Sequence, residues 1–480
     1  MIGVDDMTAG TDKDVIARVV AQVVRELQGG AAASPAKPSS AEGDWGVFES
    51  MDEAVVAAAA AQRAYLSCSM ADRRRFVETI KAVATTEEHL EYMARCTVEE
   101  TGMGRVDDKI EKNRVAALGT PGTEDLITTA WSGDDGLTTV EYSPYGVIGA
   151  ITPTTNPTET VLCNSIGMLA AGNSVVFSPH PRAKKITLWL IQQLNIALCE
   201  AGAPQNLIVT VREPSIENTN AMMEHKLIKM LVATGGPGIV KTVLKSGKKA
   251  IGAGAGNPPV LVDATADIEK AARDIVAGAS FDNNLPCTAE KEIIAVDAIA
   301  DLLRFEMVKA GAHEINDPAQ LKALEDLLLK DGRPDTAWVG KDAEVILNAI
   351  GITPKPGTRL VVAEVGRDHP FVQHELMMPV IGLVRVPDVE EGIQFAIEIE
   401  KGLRHTAIMH SRDVTKLTRM GKLIQTTVFV KNGPSFTGLG IGGEGYTTFT
   451  IAGPTGEGLT SARSFARSRR CVMVGELNVR

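Results

Sequence analysis

The sequence predicts an α/β protein, and three observations carry that prediction. From about residue 147 strand-like and helix-like stretches alternate, the pattern of βαβ units around a parallel sheet. The chain is 44% hydrophobic but only 4% aromatic, which suits aliphatic strands covered by helices. Its 480 residues are enough for two to four domains, each with a core of its own.

Composition also narrows the partners. A formal charge of −11 with no dense basic run argues against nucleic acid. The six cysteines (Cys68, Cys96, Cys163, Cys199, Cys287 and Cys471) contain no Cys-x-x-Cys pair, so neither a zinc site nor a disulfide framework is expected, and a reducing cytoplasm fits. No run of about 18 apolar residues occurs, and the N-terminus lacks a basic flank followed by an apolar core. Membrane spanning and export are therefore not expected.

Taken in order, residues 1–28 read as an amphipathic helix. Thr11 and Asp14 frame a variant capping box, and Val15, Ile16, Val19, Val20, Val23, Val24 and Leu27 fall on one face. Residues 29–43, rich in Pro, Ala, Ser and Gly, hold too few large apolar side chains to pack and read as a flexible linker. A helix with an apolar face on a tether is expected to find a partner, although a linker of this length also lets it dock on its own domain. The folded part is expected from residue 44, where Ser50 and Glu53 frame a capping box before an alanine-rich helix at 54–65. Helices follow at 71–83 and 87–101, then strands at 137–142 and 147–152 around the turn Ser143-Pro144-Tyr145-Gly146. The regular alternation comes next: helix 159–171, strand 174–178, helix 183–201, strand 207–211, helix 215–223, strand 229–233, helix 238–246. A second α/β series from about 260 to 430 has strand candidates at 293–296, 360–362, 381–384, 406–409 and 427–430.

Three local patterns carry chemistry. Cys287 lies in a polar bend, Phe281-Asp282-Asn283-Asn284-Leu285-Pro286-Cys287-Thr288, after a helical run at 268–280 and before a strand. That bend is expected at a sheet edge, where sites in open α/β folds gather, and it makes Cys287 a candidate nucleophile. The alternative is a small buried residue, since free cysteine packs well. Asn156, ahead of Pro157-Thr158-Glu159, reads locally as a helix N-cap. Strand 174–178 with Pro179-His180-Pro181, and Ala233-Thr234 with Gly235-Gly236-Pro237-Gly238, each set a strand end beside a helix start, where free N–H groups favour phosphate. The glycine turn is not a Gly-x-Gly-x-x-Gly fingerprint and can equally be structural.

These segments, together with Ile151-Thr152-Pro153-Thr154-Thr155-Asn156-Pro157, Gly252-Ala253-Gly254-Ala255-Gly256-Asn257, His374-Glu375-Leu376-Met377-Met378-Pro379 and Lys431-Asn432-Gly433-Pro434, occur in the order of the aldehyde dehydrogenase superfamily. The chain resembles its CoA-acylating branch, and most of all the members that oxidise propanal inside bacterial microcompartments degrading propanediol. The resemblance implies a Rossmann-type NAD-binding domain at 44–258 with oligomerisation strands near 123–143, a catalytic α/β domain at 259–430, and a segment at 431–480 that returns to the cofactor domain. It implies that Cys287 is the nucleophile and that Asn156 donates to the oxyanion. NAD is expected along Thr152, Pro153, Ser178, Pro179, His180, Pro181, Gly235, Gly236 and Gly256, with Glu375 on the nicotinamide ribose.

Two departures from the hydrolytic branch point to coenzyme A as acyl acceptor. Where that branch carries a glutamate activating water, this chain has Ala253 and no carboxylate in 252–256; where it has a lysine and a glutamate on the adenosine ribose, Pro179-His180-Pro181 stands. The resemblance further implies propanal as the preferred aldehyde with acetaldehyde close behind, a dimer or tetramer, and a microcompartment shell protein bound through residues 11–28. A hydrolytic enzyme giving a free acid is the alternative within the class, and a structural protein of an organelle the alternative outside it. His180, His374, His405 and His410 lack ligand spacing and are expected to be polar packing or loop residues, with no metal site. Arg463, Arg467, Arg469 and Arg470 are expected on a solvated or subunit-facing surface, with CoA phosphates as the other possibility.

Overall fold

The computed structural model describes residues 44–479, so the helix and linker expected at 1–43 lie outside the described residues. Two parallel sheets form the body. In the first, the strands run in the order Val47–Phe48, Ile208–Val211, Ser174–Ser178, Val147–Ile151, Ile228–Thr234 and Lys249–Ala253. Three of its four inner strands, all but Ile228–Thr234, are buried along their whole length, as strands covered on both faces must be. Alternate side chains serve opposite faces. Val147, Val176 and Val209 pack with the Met51–Tyr65 and Pro237–Leu244 helices, whereas Ile148, Val175 and Ile208 pack with Pro157–Ala170 and Lys184–Glu200.

The second sheet has seven parallel strands, with Glu292–Val296 at its centre between Val380–Val386 and Pro259–Val262. Cys287 therefore does not sit at a sheet edge as expected; it enters the amino end of the central strand. The strands foreseen at 137–142 and 147–152 form, but not as a pair. Gly136–Pro144 joins an antiparallel sheet with Thr129–Gly133 and Ala466–Val474, while Val147–Ile151 turns into the first parallel sheet. Gly146, at φ +124°, makes that change of direction, and the Asn173 Oδ1 accepts from the Tyr145 and Gly146 N–H groups at 2.7 and 3.1 Å.

The capping box at Ser50 and Glu53 forms around the Met51–Tyr65 helix. A helix at Val106–Gly119 was not foreseen, and the reason is physical: its buried face carries Lys109, Lys112 and Asn113, so no apolar stripe marks it. From the C-terminal segment Leu439, Phe449, Ile451, Ala462 and Phe465 fold into the core of the first sheet.

Candidate active site

A cavity of about 580 Å³ opens where the two sheets meet. One wall is made by three neighbouring carboxyl ends of the first sheet: Ile151 to Asn156, Ser178 to Pro181, and Thr234 to Gly236. This is where ligands bind in open α/β sheets. The wall also holds Leu285, Cys287, Glu375 and Met377, together with Gly254, Ala255 and, from the core of the first sheet, Phe449. All the residues expected from the sequence to act in catalysis or bind the cofactor line this cavity except Gly256, which sits just behind it. A β-carbon built on Gly256 would come within 2.8 Å of the Cys287 carbonyl oxygen and 2.9 Å of the His405 ring, so only glycine lets these groups close up there.

Cys287 is half-buried, so the reading of it as a sealed packing residue does not hold. The loop that presents it is built from an unusual backbone. Asp282, Asn283 and Asn284 take φ +46°, +54° and +65° in succession. Aspartate and asparagine tolerate this left-handed region better than other non-glycine residues, yet each such residue still costs about 1 to 2 kcal/mol. Side chains hold all three in place. Asp282 Oδ1 accepts from the Arg105 N–H at 2.8 Å, and Oδ2 accepts from Lys109 at 2.9 Å and Lys112 at 2.6 Å. Asn283 donates to the Gly340 carbonyl and to Asp342, both at 2.9 Å. Asn284 donates to the carbonyls of Ala279 and Glu290. Buried Lys291 then donates to the Asn284 carbonyl at 2.9 Å, its Oδ1 at 2.6 Å and the Pro286 carbonyl at 3.3 Å.

Asn156 occupies the N-cap position of Pro157–Ala170 but makes no capping bond with its side chain. Its Nδ2 donates once, to Thr155 Oγ1 at 3.1 Å, and the second N–H is left for an acceptor in the cavity. Cys287 lines the same cavity. An amide with an unspent N–H and a thiol therefore face one space, an arrangement in which an oxyanion could be met by donors.

Electrostatics keep the thiol quiet. Burial, and after it the Glu375 carboxylate, push the Cys287 thiol up to about 12, while Lys291 and Lys112 pull the other way. Burial likewise raises Glu375, whose Oε1 is sealed from solvent without a partner. Burial and then Lys291 push His405 down to about 4, so its ring is neutral at pH 7, with Nδ1 against Thr406 Oγ1 at 2.9 Å and Nε2 without a partner. Among the described residues no group of three or more His, Cys, Asp or Glu side chains could hold a metal ion.

Several wall residues escaped the sequence reading. Ser215, Ile216, Thr219 and Asn220 begin the helix after Ile208–Val211, and the same strand-end argument used elsewhere could have found them. Phe449 carried no local sign, because it reaches the site through the return of the C-terminal segment. The arginines go elsewhere: Arg463 pairs with Asp125 at 2.8 Å, and Arg467, Arg469 and Arg470 lie on the exposed Ala466–Val474 strand.

Residues 46–322 match the model of the aldehyde dehydrogenase family. The chain belongs to this family. Among curated aldehyde dehydrogenases it is 49% identical to the propanal dehydrogenase (CoA-propanoylating) of Citrobacter freundii, over 91% of this chain and 94% of that one. It is 48% identical to an acetaldehyde dehydrogenase (acetylating) of Salmonella typhimurium, over 92% of this chain and 95% of the relative. Among solved structures, the Rhodopseudomonas palustris propionaldehyde dehydrogenase, with bound CoA and an acylated cysteine, is 66% identical with a TM-score of 0.90, covering 91% of this chain and 99% of its own. A propionaldehyde dehydrogenase from a fucose-utilisation microcompartment of Clostridium phytofermentans is 50% identical with a TM-score of 0.89, covering 91% and 100%. That protein was also solved with one cysteine, and separately one histidine, replaced by alanine, and these two positions are spaced as Cys287 and His405 are here.

Proposed function

We propose that this aldehyde dehydrogenase oxidises a short aldehyde, propanal first, with NAD and hands the acyl group to coenzyme A. One observation carries the reading: Cys287 faces a cavity in which Glu375 is the sole carboxylate on the wall among the described residues. The Ala253 segment supplies no acid, so the water-activating glutamate of the hydrolytic branch has no counterpart there.

The thiol must lose a proton to add to an aldehyde carbon, since the thiolate is the nucleophile. With the thiol near 12 this needs an acceptor. Neutral His405, beside the Cys287 main chain with a free Nε2, is our candidate, both for this proton and for that of an incoming thiol. Addition forms the Cys287 sulfur–carbon bond and an oxyanion, which Asn156 Nδ2 and the Cys287 N–H stabilise. When bound, NAD takes the hydride and coenzyme A the acyl group. The residues present suit those groups. The helices beginning at Ile216 and Pro237 offer N–H groups for pyrophosphate, and Thr152 Oγ1 and Glu375 Oε1 are buried polar atoms that lack partners until a ligand supplies them. Acetaldehyde is a slower alternative, because one methylene in an apolar pocket discriminates by only about 1 to 3 kcal/mol.

The test is NADH formation from propanal with and without CoA. The acylating reading expects sustained turnover only with CoA and, without it, a single turnover that leaves an acyl adduct on Cys287 detectable by mass spectrometry. Equal steady rates without CoA would assign the hydrolytic reaction instead. For location, we propose that residues 11–28 tether the enzyme to a microcompartment shell. Deleting residues 1–43 should then leave activity intact and abolish co-purification with shells; unchanged co-purification contradicts the tether.

A further inference from the structure

Building on the reading of Cys287 and Asn156 above, we propose that Lys112, assisted by Lys109, is a positioning residue that fixes the separation of nucleophile and oxyanion donor. Both lysines stand on the Val106–Gly119 helix, one turn apart, and both are buried. Lys112 Nζ lies 2.6 Å from Asp282 Oδ2 and 3.1 Å from Glu159 Oε1. Lys109 Nζ lies 2.9 Å from the same Asp282 oxygen and 3.4 Å from the Thr155 carbonyl. Asp282 opens the left-handed run that ends beside Cys287. Thr155 and Glu159 flank Asn156 on either side. One pair of cations thus bridges the segments of both partners at once, through the Asp282 and Glu159 carboxylates and the Thr155 carbonyl.

Asn156 has little else to place it. Its side chain makes no cap bond and among the described residues hydrogen-bonds only Thr155, so its aim depends on the main chain from 155 to 160 and on packing. There the Thr160 N–H and Oγ1 bind the Asn156 carbonyl at 3.1 and 2.6 Å, and the next link outward is Glu159 to Lys112. A buried charge cluster is a poor way to gain stability alone, because apolar side chains of equal volume generally do as well or better. It is a good way to hold two loops at one distance. Misplacement by about 1 Å can cost about a hundredfold in rate.

The test replaces Lys112→Met together with Glu159→Gln, which removes one charge of each sign and leaves the Lys109–Asp282 pair. Turnover of propanal with NAD and CoA, and alkylation of Cys287 by iodoacetamide, are measured in the Asn156 and Asn156→Ala backgrounds. We expect kcat to fall about 10- to 100-fold with KM for propanal within about twofold and the alkylation rate slowed by less than the fall in kcat, since loss of the Lys112 charge itself raises the thiol, and the fall in kcat to shrink below about threefold once Asn156 is alanine. A fall of equal size in both backgrounds, or none in the first, overturns the proposal. Should circular dichroism show the double variant unfolded, Glu159→Gln alone carries the test with a fall of about 3- to 10-fold and the same dependence on Asn156. Wild-type kcat in Asn156→Ala by itself overturns the parent reading, and this one with it, whatever Lys112 does.

Discussion

Asn156→Ala separates the two jobs that the sequence allowed this residue. A working N-cap lost to alanine costs about 0.5 to 2 kcal/mol of stability and leaves chemistry alone. In the structure no cap bond exists to lose, and Asn156 Oδ1 is a buried acceptor without a partner, so alanine removes an orphaned group. The stability change should stay within about 1 kcal/mol, the worth of the one hydrogen bond to Thr155 Oγ1. An oxyanion donor lost from a preorganised site costs about 2.7 to 4 kcal/mol of transition-state stabilisation, or about 100- to 1000-fold in kcat. The assay pairs NADH formation at saturating propanal, NAD and CoA with thermal unfolding of the same preparation. A kcat within about threefold of wild type, with a stability loss above about 1 kcal/mol, would refute the oxyanion role and restore the cap.

Three further outcomes follow from the electrostatics. With the thiol held near 12, alkylation of Cys287 by iodoacetamide should rise about tenfold per pH unit from 7 to 9.5, and a plateau by pH 8 would contradict the burial described. Glu375→Gln removes the carboxylate that raises the thiol, so alkylation at pH 8 should quicken several-fold while KM for NAD rises about tenfold; slower alkylation would place Glu375 elsewhere in the reaction. Burial pushes Glu290 up to about 7 despite bonds from the Ser435 N–H and hydroxyl. Because its folded value is raised, the stability it contributes is whole below about pH 4.5 and is lost as pH rises to about 7, a change of about 3 kcal/mol. Denaturant midpoints measured from pH 4.5 to 8 should fall over this window in the wild type and much less in Glu290→Gln; parallel curves would contradict it.

What could be read in advance was what local pattern and family order encode. The strand at 174–178 and the helix at 268–280 announced themselves because each combines apolar content with polar punctuation at its ends, and both occur as foreseen. The Val106–Gly119 helix did not, because its buried face is cationic and its partners Asp282 and Glu159 lie far along the chain. The same distance in sequence hid Phe449 and the separation of 137–142 from 147–152 into different sheets, since strand pairing with 466–474 leaves no trace near residue 140. Cys287 and Asn156 were found as residue types in a recognisable order. That Asn156 leaves its cap bond unmade, and that a carboxylate and burial silence the thiol, are facts of packing that no linear pattern holds.

The return of the C-terminal segment bears on how the protein is made. Phe449 completes one wall of the cavity, and Leu439, Ile451 and Phe465 pack into the core behind it, so a chain that lacks this segment leaves wall and core unfinished together. The charged groups that set the Cys287 thiol, Glu375, Lys291 and Lys112, all lie earlier in the chain. Synthesis thus lays down the chemistry of the site before the last part of its enclosure.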